Sequence, residues 1–311
     1  MARAVTRASR VAFRAAPVRV RVPATSANLG PGFDALGLAL GLYDDVVVRV
    51  AEEGLYVDVA GEGADSVPRT RRHLVVRALQ AGFDALGGQP RGLEVVCANR
   101  IPHSRGLGSS AAAIVAGLTA ARALVLGGEE TLDDDALLGL AAELEGHPDN
   151  VAACLLGGLT LAWTPADGPA QAIRLPVSPA LRPVVFVPST TSSTAKARKL
   201  LPETVPHADA ARNAARSALL VHALAAEPSL LLTATEDRLH QPYRAPAQAR
   251  TAGLVEALRA DAVPAVVSGA GPSVLAFAGA ADDLSSYTPR GWAMEVLPVD
   301  HGGATQLALA G

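Results

Sequence analysis

The chain contains 311 residues, of which 50% are hydrophobic and 18% are charged. This composition is typical of a globular protein with a sizeable core and excludes a chain that is mainly disordered. The formal net charge of −3 lacks the positive field that nucleic-acid-binding proteins usually show, so we predict no nucleic-acid partner. At about 150 residues per domain, the length favours two domains.

Cysteine content and hydropathy indicate a reducing compartment and no membrane partner. Cys97 and Cys154 are the two cysteines and lack C-x-x-C spacing, which argues against a disulfide framework or a cysteine zinc site and predicts a cytoplasmic protein. The longest apolar stretch, 111–126, contains Arg122 and is shorter than the ~20 residues of a membrane span. Residues 1–16 carry four arginines and no acid, a pattern that resembles a transit peptide but that we interpret as a disordered basic extension.

The first half of the chain mixes strands and helices. Apolar alternation and short apolar runs predict strands at 18–22, 45–50, 55–59, 93–97 and 159–163. A loop rich in glycine and proline occupies 23–37. Helical periodicity predicts helices at 71–82, 109–126 and 132–144. The second of these helices is long and rich in alanine, so we expect it to be buried.

Prolines cluster at 164–183, where we place a domain boundary that divides the chain into 17–170 and 171–311. Beyond it we predict strands at 184–187, 265–267, 274–277 and 292–297. We predict helices at 194–201, 208–226, 229–236, 248–258 and 281–287. Because strands and helices do not alternate regularly, the fold class is α+β rather than a doubly wound sheet.

A glycine-rich loop at 102–112, with the sequence P-H-S-R-G-L-G-S-S-A-A, leads into the alanine-rich helix. Gly106 and Gly108 can adopt positive φ, which lets successive N–H groups converge on an anion at the positive end of the helix. The chain has no Gly-Lys-Ser/Thr of a Walker loop, no complete dinucleotide fingerprint and no protein-kinase motif set. From these residues alone, the loop is either a phosphate site or a glycine turn followed by a serine N-cap.

The loop resembles the P-x-x-x-G-L-G-S-S-A-A signature of the GHMP small-molecule kinases. Two further segments agree: P-A-T-S-A-N-L-G-P-G-F-D at 23–34 resembles the N-terminal motif of the homoserine kinases, and S-G-A-G-P-S-V at 268–274 resembles their C-terminal glycine motif. The resemblance covers nearly the whole chain from residue 17. It implies a two-domain α+β fold, with an S5-like N-terminal, ATP-binding domain and a ferredoxin-like C-terminal domain.

The resemblance also implies an activity and its cofactors. The expected reaction is ATP-dependent phosphorylation of the L-homoserine hydroxyl, which gives O-phospho-L-homoserine and ADP for threonine biosynthesis, with ATP and Mg²⁺ as cofactors. ATP is expected to bind the residues of the glycine loop, namely Pro102, His103, Ser104, Arg105, Gly106, Leu107, Gly108, Ser109, Ser110, Ala111 and Ala112. For Mg²⁺ the resemblance implies Ser110 and Glu145, with Glu143 as the alternative glutamate.

Homoserine is a zwitterion, so a selective site needs charged partners for its carboxylate and its ammonium group. The resemblance assigns substrate contacts to Asn28, Asp34, His147, Thr194, Arg198, Arg244 and Gly269. Asp34 is the natural partner of the ammonium group, and the planar fork of an arginine such as Arg244 suits a carboxylate. Structural alternatives stay open for these residues: loop-forming turns for Asn28 and Asp34, a structural hydrogen bond for His147, and solvent-exposed positions for the arginines.

The catalytic residues implied by the resemblance are Asn28, Asp34, Asn150 and Arg198. Asn150 occupies the position where some GHMP relatives carry an aspartate base, and an asparagine cannot accept a proton. We therefore expect catalysis without a side-chain base, by positioning and charge stabilisation, with Asp149 as the alternative base.

Other functions are compatible with the same motifs. A GHMP kinase could instead act on mevalonate or a sugar, or the chain could be an inactive nucleotide-binding homologue. The charge pattern of Arg198, Arg244 and Asp34 favours an amino acid, because a sugar needs no receptor for a zwitterion. The loop at 67–73 precedes the helix where the family keeps part of its adenine pocket, without a base-reading residue that the sequence identifies. Dimers are common in this family, so a homodimer is expected.

Overall fold

Two β-sheets organise the chain in the computed structural model, which describes residues 11–279 and 282–308. The strands of the first sheet are β1 (Val18–Ala27), β2 (Leu36–Ala51), β3 (Gly54–Gly61), β4 (Gly92–Asn99), β5 (Leu159–Trp163), β6 (Gln171–Leu175) and β11 (Thr305–Leu307). They follow the order β11-β1-β2-β4-β3, and β5 pairs with β2 while β6 pairs with β5. Only β3 and β4 run parallel among these pairs.

The second sheet is antiparallel and has the order β10-β7-β9-β8. Its strands are β7 (Arg182–Pro188), β8 (Ala265–Val267), β9 (Val274–Ala278) and β10 (Trp292–Val296). The α-helices are α1 (Leu74–Ala85), α2 (Ser109–Leu124), α3 (Gly128–Thr131), α4 (Asp134–Glu145), α5 (Asp149–Leu156), α6 (Thr194–Arg198), α7 (His207–Ala225), α8 (Leu231–Ala234), α9 (Gln241–Arg244) and α10 (Ala249–Ala260). Helices and two separate sheets confirm the predicted α+β class.

The helix α2 is buried on nearly all sides, as its alanine content predicts. Small residues let α1 approach it closely: a Cβ on Gly117 would lie 2.6 Å from the Ala78 methyl group. The side chains of Ile114 and Leu118 are buried in the same core, and burial of each such side chain typically contributes about 1.5–3 kcal/mol. This packing fixes α2, and therefore the loop that precedes it, against the first sheet.

Four short elements of the first sheet and its helices escaped the sequence analysis, namely α3, α5, β6 and β11. The strand β6 is mostly exposed, and its sequence Q-A-I-R-L does not alternate regularly between apolar and polar residues, so its conformation depends on pairing with β5. The predicted boundary at residue 170 separates these two paired strands. Near the other end of the chain, β11 also returns to the first sheet and pairs with β1. The helix predicted at 281–287 has only the 3₁₀ turn Ser285–Tyr287 in its described part.

The sequence analysis predicted that residues 1–16 form a disordered extension. Residues 1–10 lie outside the described residues, and the prediction is wrong for residues 11–16. Phe13 forms a β-bridge with Val125 and packs edge-on against Phe83, with ring centroids 5.6 Å apart. The aromatic ring anchors this segment because it covers the end of the α1–α2 core. None of the helices in the described part of the chain combines the length and the apolar character needed to cross a membrane.

Candidate active site

The three motifs singled out in the sequence meet at one place in the structure. In the first motif, the Thr25 amide donates a hydrogen bond to the Leu107 carbonyl oxygen, 3.1 Å away. The Gly269 amide in turn donates to the Ala27 carbonyl oxygen at 3.1 Å, and the Ser268 hydroxyl donates to the glycine loop. Segments from both ends of the chain therefore enclose a common space.

The glycine loop has the geometry that an anion site requires. Gly106 and Gly108 have φ values of +78° and +71°, and Gly108 caps α2 without a side-chain hydrogen bond. A Cβ on Gly106 would lie 2.3 Å from the Ser268 carbonyl oxygen, and one on Gly108 would lie 1.9 Å from the Thr25 hydroxyl oxygen. The serine N-cap considered as an alternative is therefore absent, and the first amides of α2 remain available for an anion at the positive end of the helix.

A cavity of about 680 Å³ extends from this loop to the second sheet's helices. Most of the predicted site residues line it, namely Asn28, Asp34, Ser104, Gly106, Gly108, Ser109, Ser110, Glu145, His147, Asn150, Thr194, Arg198, Arg244 and Gly269. The predicted loop residues that do not line it are Pro102, His103, Arg105, Leu107, Ala111 and Ala112. Leu107 and the two alanines are buried in the core instead.

Arg105 has a different place from the one that its motif implies. Its guanidinium group donates to the carbonyl oxygens of Pro188 at 2.9 Å, His103 at 3.1 Å and Ser189 at 3.1 Å. Pro188 ends β7, so the side chain fastens the glycine loop to the second sheet. The guanidinium group is committed to these backbone oxygens and to an ion pair with Glu62 at 3.7 Å, and it does not line the cavity.

A second cavity, of about 250 Å³, adjoins the first and shares Ser104, Ser109 and Ser110 with it. Residues of the loop 67–73 form its wall, together with His103 and Ala112 of the glycine motif. Its position beside the start of α2 suits the base of a nucleotide whose phosphates lie on the glycine loop.

The turn between β1 and β2 holds the acidic residue of the first motif. Asp34 has a φ of +55°, and its amide donates to the Asn28 side-chain oxygen at 2.9 Å. The other end of the Asn28 amide donates to the Gly269 carbonyl oxygen at 2.8 Å. Both ends of this side chain are thus bound to backbone, the arrangement expected of a residue that shapes the loop and presents Asp34.

Two arginines from different helices converge beside Asp34. Arg198, on α6, forms a two-pronged ion pair with its carboxylate, with N–O distances of 2.7 and 2.9 Å. Arg244, on α9, is only 3% exposed, and no carboxylate within the described ranges lies at ion-pair distance from it. Burial lowers the pKa of Arg244, and the nearby Arg198 charge lowers it further, whereas the charges of Asp34, Asp237 and Asp149 raise it. Arg244 is therefore a buried cation without an ion-pair partner among the described residues, which favours an anion at this end of the cavity.

Phe33 is a site residue for which the sequence analysis assigned no role. Its ring centre lies 5.7 Å from the Arg198 guanidinium carbon and 5.5 Å from that of Arg244. Both cations are within cation–π distance of the ring, whose negative face attracts them. The sequence offered one indication that Phe33 belongs to the site, because this residue directly precedes Asp34 in the motif.

The end of α4 places the acidic residues opposite the glycine loop. Gly146, with a φ of +90°, ends the helix and leaves Glu145 as its last residue. The Glu145 carboxylate accepts a hydrogen bond from the Ser110 hydroxyl at 2.5 Å, and burial raises the pKa of Glu145. Glu143 is exposed and does not line the cavity, so the geometry favours Glu145 over the alternative.

The pair formed by Ser110 and Glu145 can serve as a magnesium site. Mg²⁺ prefers one or two protein oxygens and completes its shell with water and phosphate. The described residues contain no group of three or more His, Cys, Asp or Glu that could hold a metal alone. Two oxygen ligands beside an anion site therefore fit Mg²⁺ bound together with a nucleotide.

His147 and Asp149 form a hydrogen-bonded pair next to Glu145, with 2.6 Å between Nδ1 and the carboxylate oxygen. Burial works to lower the pKa of His147, but the hydrogen bond and the charges of both acids raise it above its ordinary value. Asp149 is 2% exposed and lines the cavity, and its Oδ1 also accepts from the Asn150 amide, so one carboxylate oxygen takes both hydrogen bonds. Asn150 accepts from the Thr25 hydroxyl at 2.8 Å and fixes the floor of the cavity.

Comparison with known proteins agrees with this geometry. The model of the GHMP kinases N terminal domain matches residues 73–158. A homoserine kinase of Streptomyces coelicolor is 65% identical over 301 residues, covering 96% of this chain and 97% of the relative. A homoserine kinase of Clavibacter michiganensis is 54% identical, covering 93% of each chain.

A solved structure has the same architecture throughout. The crystal structure of a homoserine kinase from Cytophaga hutchinsonii superposes with a TM-score of 0.81 at 26% identity, covering 94% of this chain and 97% of that one. The two sheets correspond to the predicted S5-like N-terminal and ferredoxin-like C-terminal domains of the GHMP kinase fold. From its cavity, its motifs and these similarities, the chain belongs to the homoserine kinase family of the GHMP kinases.

Proposed function

We propose that the chain transfers the γ-phosphoryl group of ATP to the hydroxyl of L-homoserine, giving O-phospho-L-homoserine and ADP. One observation carries the proposal: a single cavity joins a phosphate-type glycine loop to a receptor that contains Asp34, Arg198 and the unpaired Arg244. The relatives named homoserine kinases support the same reaction.

The nucleotide binds along the glycine loop. Its phosphates accept hydrogen bonds from the free amides at the start of α2, and its base extends into the adjoining cavity beside the loop 67–73. Ser110 and Glu145 hold Mg²⁺, which when bound supplies positive charge to the phosphate oxygens during transfer. Of the predicted loop residues, Arg105 contributes by fastening the loop rather than by direct contact.

The acceptor binds at the other end of the cavity. Its carboxylate pairs with Arg244, whose fork offers donors in one plane, and its ammonium group pairs with Asp34. Thr194 lies on α6 one turn before Arg198, on the same helix face, and lines the cavity beside the hydroxyl. His147 and Gly269 also line the cavity and contribute to its walls.

Phosphoryl transfer here needs no side-chain base. Asn150 cannot accept a proton, and Oδ1 of Asp149 accepts from His147 and from the Asn150 amide, which leaves Oδ2 of Asp149 as the alternative base. Positioning and charge stabilisation supply the catalysis, and the hydroxyl proton leaves to phosphate or water.

The variant Asp149→Asn tests this base-free mechanism. We expect it to raise the KM for homoserine, because His147 loses its partner, while kcat falls by less than ~100-fold. Steady-state kinetics with both substrates varied would measure the two effects separately. A fall in kcat of ~10²–10⁴-fold with substrate binding intact would assign the base to Asp149.

A coupled assay of ADP release with L-homoserine, L-serine and mevalonate tests the reaction itself. We expect turnover with L-homoserine, a much lower kcat/KM with L-serine, and none with mevalonate, which lacks the ammonium group. The variant Glu145→Gln should remove transfer, because it removes a magnesium ligand. Turnover with mevalonate alone would contradict the proposed acceptor, and no transfer to any acceptor would favour an inactive nucleotide-binding homologue.

We extend the proposal to the cellular setting of this reaction. O-phospho-L-homoserine is a precursor of threonine, and the two buried thiols, Cys97 and Cys154, are unpaired, as suits the cytoplasm. A homodimer is the proposed assembly, and light scattering of the purified protein would measure its mass.

A further inference from the structure

His240 is buried directly behind Arg244 and has no access to the active cavity. Its side chain is 0% exposed, and it immediately precedes α9, the helix that carries Arg244. The Asp237 carboxylate fixes this turn, because it accepts hydrogen bonds from the amides of His240 and Gln241. A residue in this place cannot contact the acceptor, so any role in the reaction must act through Arg244.

The two ring nitrogens of His240 face groups of opposite kinds. Nε2 lies 2.9 Å from the Gly30 carbonyl oxygen and 3.4 Å from an Asp237 carboxylate oxygen, and both of these oxygens are acceptors. Nδ1 lies 3.1 Å from Nη1 of Arg244, and a guanidinium nitrogen can only donate. The surroundings therefore place the proton on Nε2 and leave the lone pair of Nδ1 for Arg244.

We infer that His240 is the positioning residue of the acceptor site, which as a neutral Nε2–H imidazole holds the Arg244 guanidinium in the orientation that receives the carboxylate of homoserine. The inference rests on the proposed function and adds to it a residue that touches neither substrate. With Nη1 bound to His240 and Nε bound to the Ala197 carbonyl oxygen, the orientation of the fork is fixed and Nη2 is left for the acceptor.

Packing against Phe33 completes the arrangement. The Phe33 ring stacks on the imidazole with 5.1 Å between centroids, and it also faces the Arg244 guanidinium carbon at 5.5 Å. Since Gly30 and Phe33 belong to the turn that presents Asp34, His240 joins the part of the site that binds the ammonium group to the part that binds the carboxylate.

The charges around His240 keep its ring neutral. Burial lowers its pKa and the Arg244 charge lowers it further, whereas Asp237, the Gly30 carbonyl and Asp34 act in the opposite direction. A protonated ring would direct a second N–H at Arg244 and lose the hydrogen bond.

Two variants separate the two hydrogen bonds of the ring. In His240→Gln, the longer amide can still donate to Gly30 from the Nε2 position but offers no acceptor at the Nδ1 position. In His240→Asn, an oxygen at the Nδ1 position can still accept from Arg244, while the bond to Gly30 is lost. Both variants lose the imidazole, so they are matched for lost packing.

We expect the KM for L-homoserine to be at least about tenfold higher in His240→Gln than in His240→Asn, the effect typical of one hydrogen bond to a charged group. The KM for ATP should be the same in both variants. His222→Gln, at an exposed position on α7, controls for the substitution itself. Equal homoserine KM values in the two His240 variants, or a parallel rise in the KM for ATP, would overturn the inference.

A measurement on the unmodified protein covers the case in which either variant fails to fold. Long-range ¹H–¹⁵N correlations of the imidazole rings at neutral pH report which nitrogen of each histidine carries the proton. A buried ring with the proton on Nε2 alone, which does not titrate with the exposed histidines, is expected for His240. A proton on Nδ1 would overturn the inference. Failure of the wild-type protein to phosphorylate homoserine would instead contradict the proposed function and leave the tautomer result standing.

Discussion

Replacement of Arg244 by leucine is expected to raise the KM for L-homoserine by at least about 30-fold and to leave the KM for ATP nearly unchanged, since truncating one partner of a buried charge pair costs ~2 kcal/mol or more. The physical reason is that Arg244 is the cation of the acceptor site without a carboxylate partner among the described residues, so the substrate carboxylate supplies one. Steady-state kinetics with each substrate varied in turn would measure the effect.

Thermal unfolding distinguishes this role from a structural one. Burial lowers the pKa of Arg244, which means that the folded protein disfavours its charged form. Removal of the buried charge should therefore offset the loss of the hydrogen bonds to Ala197 and His240, so we expect the melting temperature to shift little. Arg250→Leu, on α10, is a suitable control, because this exposed arginine packs on Trp292 of the second sheet. A large fall in the melting temperature of Arg244→Leu without an effect on the homoserine KM would assign Arg244 to the structural residues.

Gly108→Ala should lower the affinity for ATP by more than about tenfold and also lower the free energy of unfolding. A left-handed conformation costs a residue with a Cβ roughly 1–2 kcal/mol, and overlap in a packed region adds about 1–3 kcal/mol. At Gly108 both apply, because φ is +71° and the added Cβ would lie 1.9 Å from the Thr25 hydroxyl oxygen. Displacement of the loop would turn the first amides of α2 away from the phosphates.

The variant Gly54→Ala separates the effect of backbone strain from the effect of steric overlap with a neighbouring side chain. Gly54 has a similar φ of +80°, but nothing in the described part of the chain lies within 4 Å of a Cβ built there. Its variant should lose only the strain energy and keep its affinity for ATP. Chemical denaturation and isothermal titration with ATP would measure the two quantities. Equal effects of the two substitutions would show that contact with Thr25 does not determine the loop geometry.

The buried helix and the glycine loop could be predicted because their determinants are local. Alanine content and length predict α2, and two glycines close together predict a loop with positive φ. The edge elements β6 and β11 could not be predicted, because their conformation comes from pairing with distant strands rather than from their own residues. The early start of β2, at Leu36, has the same cause. The sequence predicted a loop up to residue 37, but Gly37 pairs with Ala27 of β1.

The candidate site shows the same division between features with local determinants and features that depend on distant contacts. Motif resemblance predicts which residues share the cavity, but the partner of each side chain depends on three-dimensional contacts. Arg105 illustrates this limit: it lies within the glycine motif, yet its guanidinium group binds carbonyl oxygens at the end of β7. The contact between His240 and Arg244 could have been predicted from their spacing of four residues, because residues at i and i+4 adjoin each other on a helix.

The return of β11 to the first sheet affects how the protein can form during synthesis. The outer edge of β1 is covered by residues 305–307, which leave the ribosome after the other ten strands of the described chain. Until then β1 presents unpaired backbone groups along this edge, and such edges promote association with other chains. The nascent N-terminal sheet is therefore exposed to aggregation until residues 305–307 have been synthesised, and a variant that lacks β11 would leave that edge open.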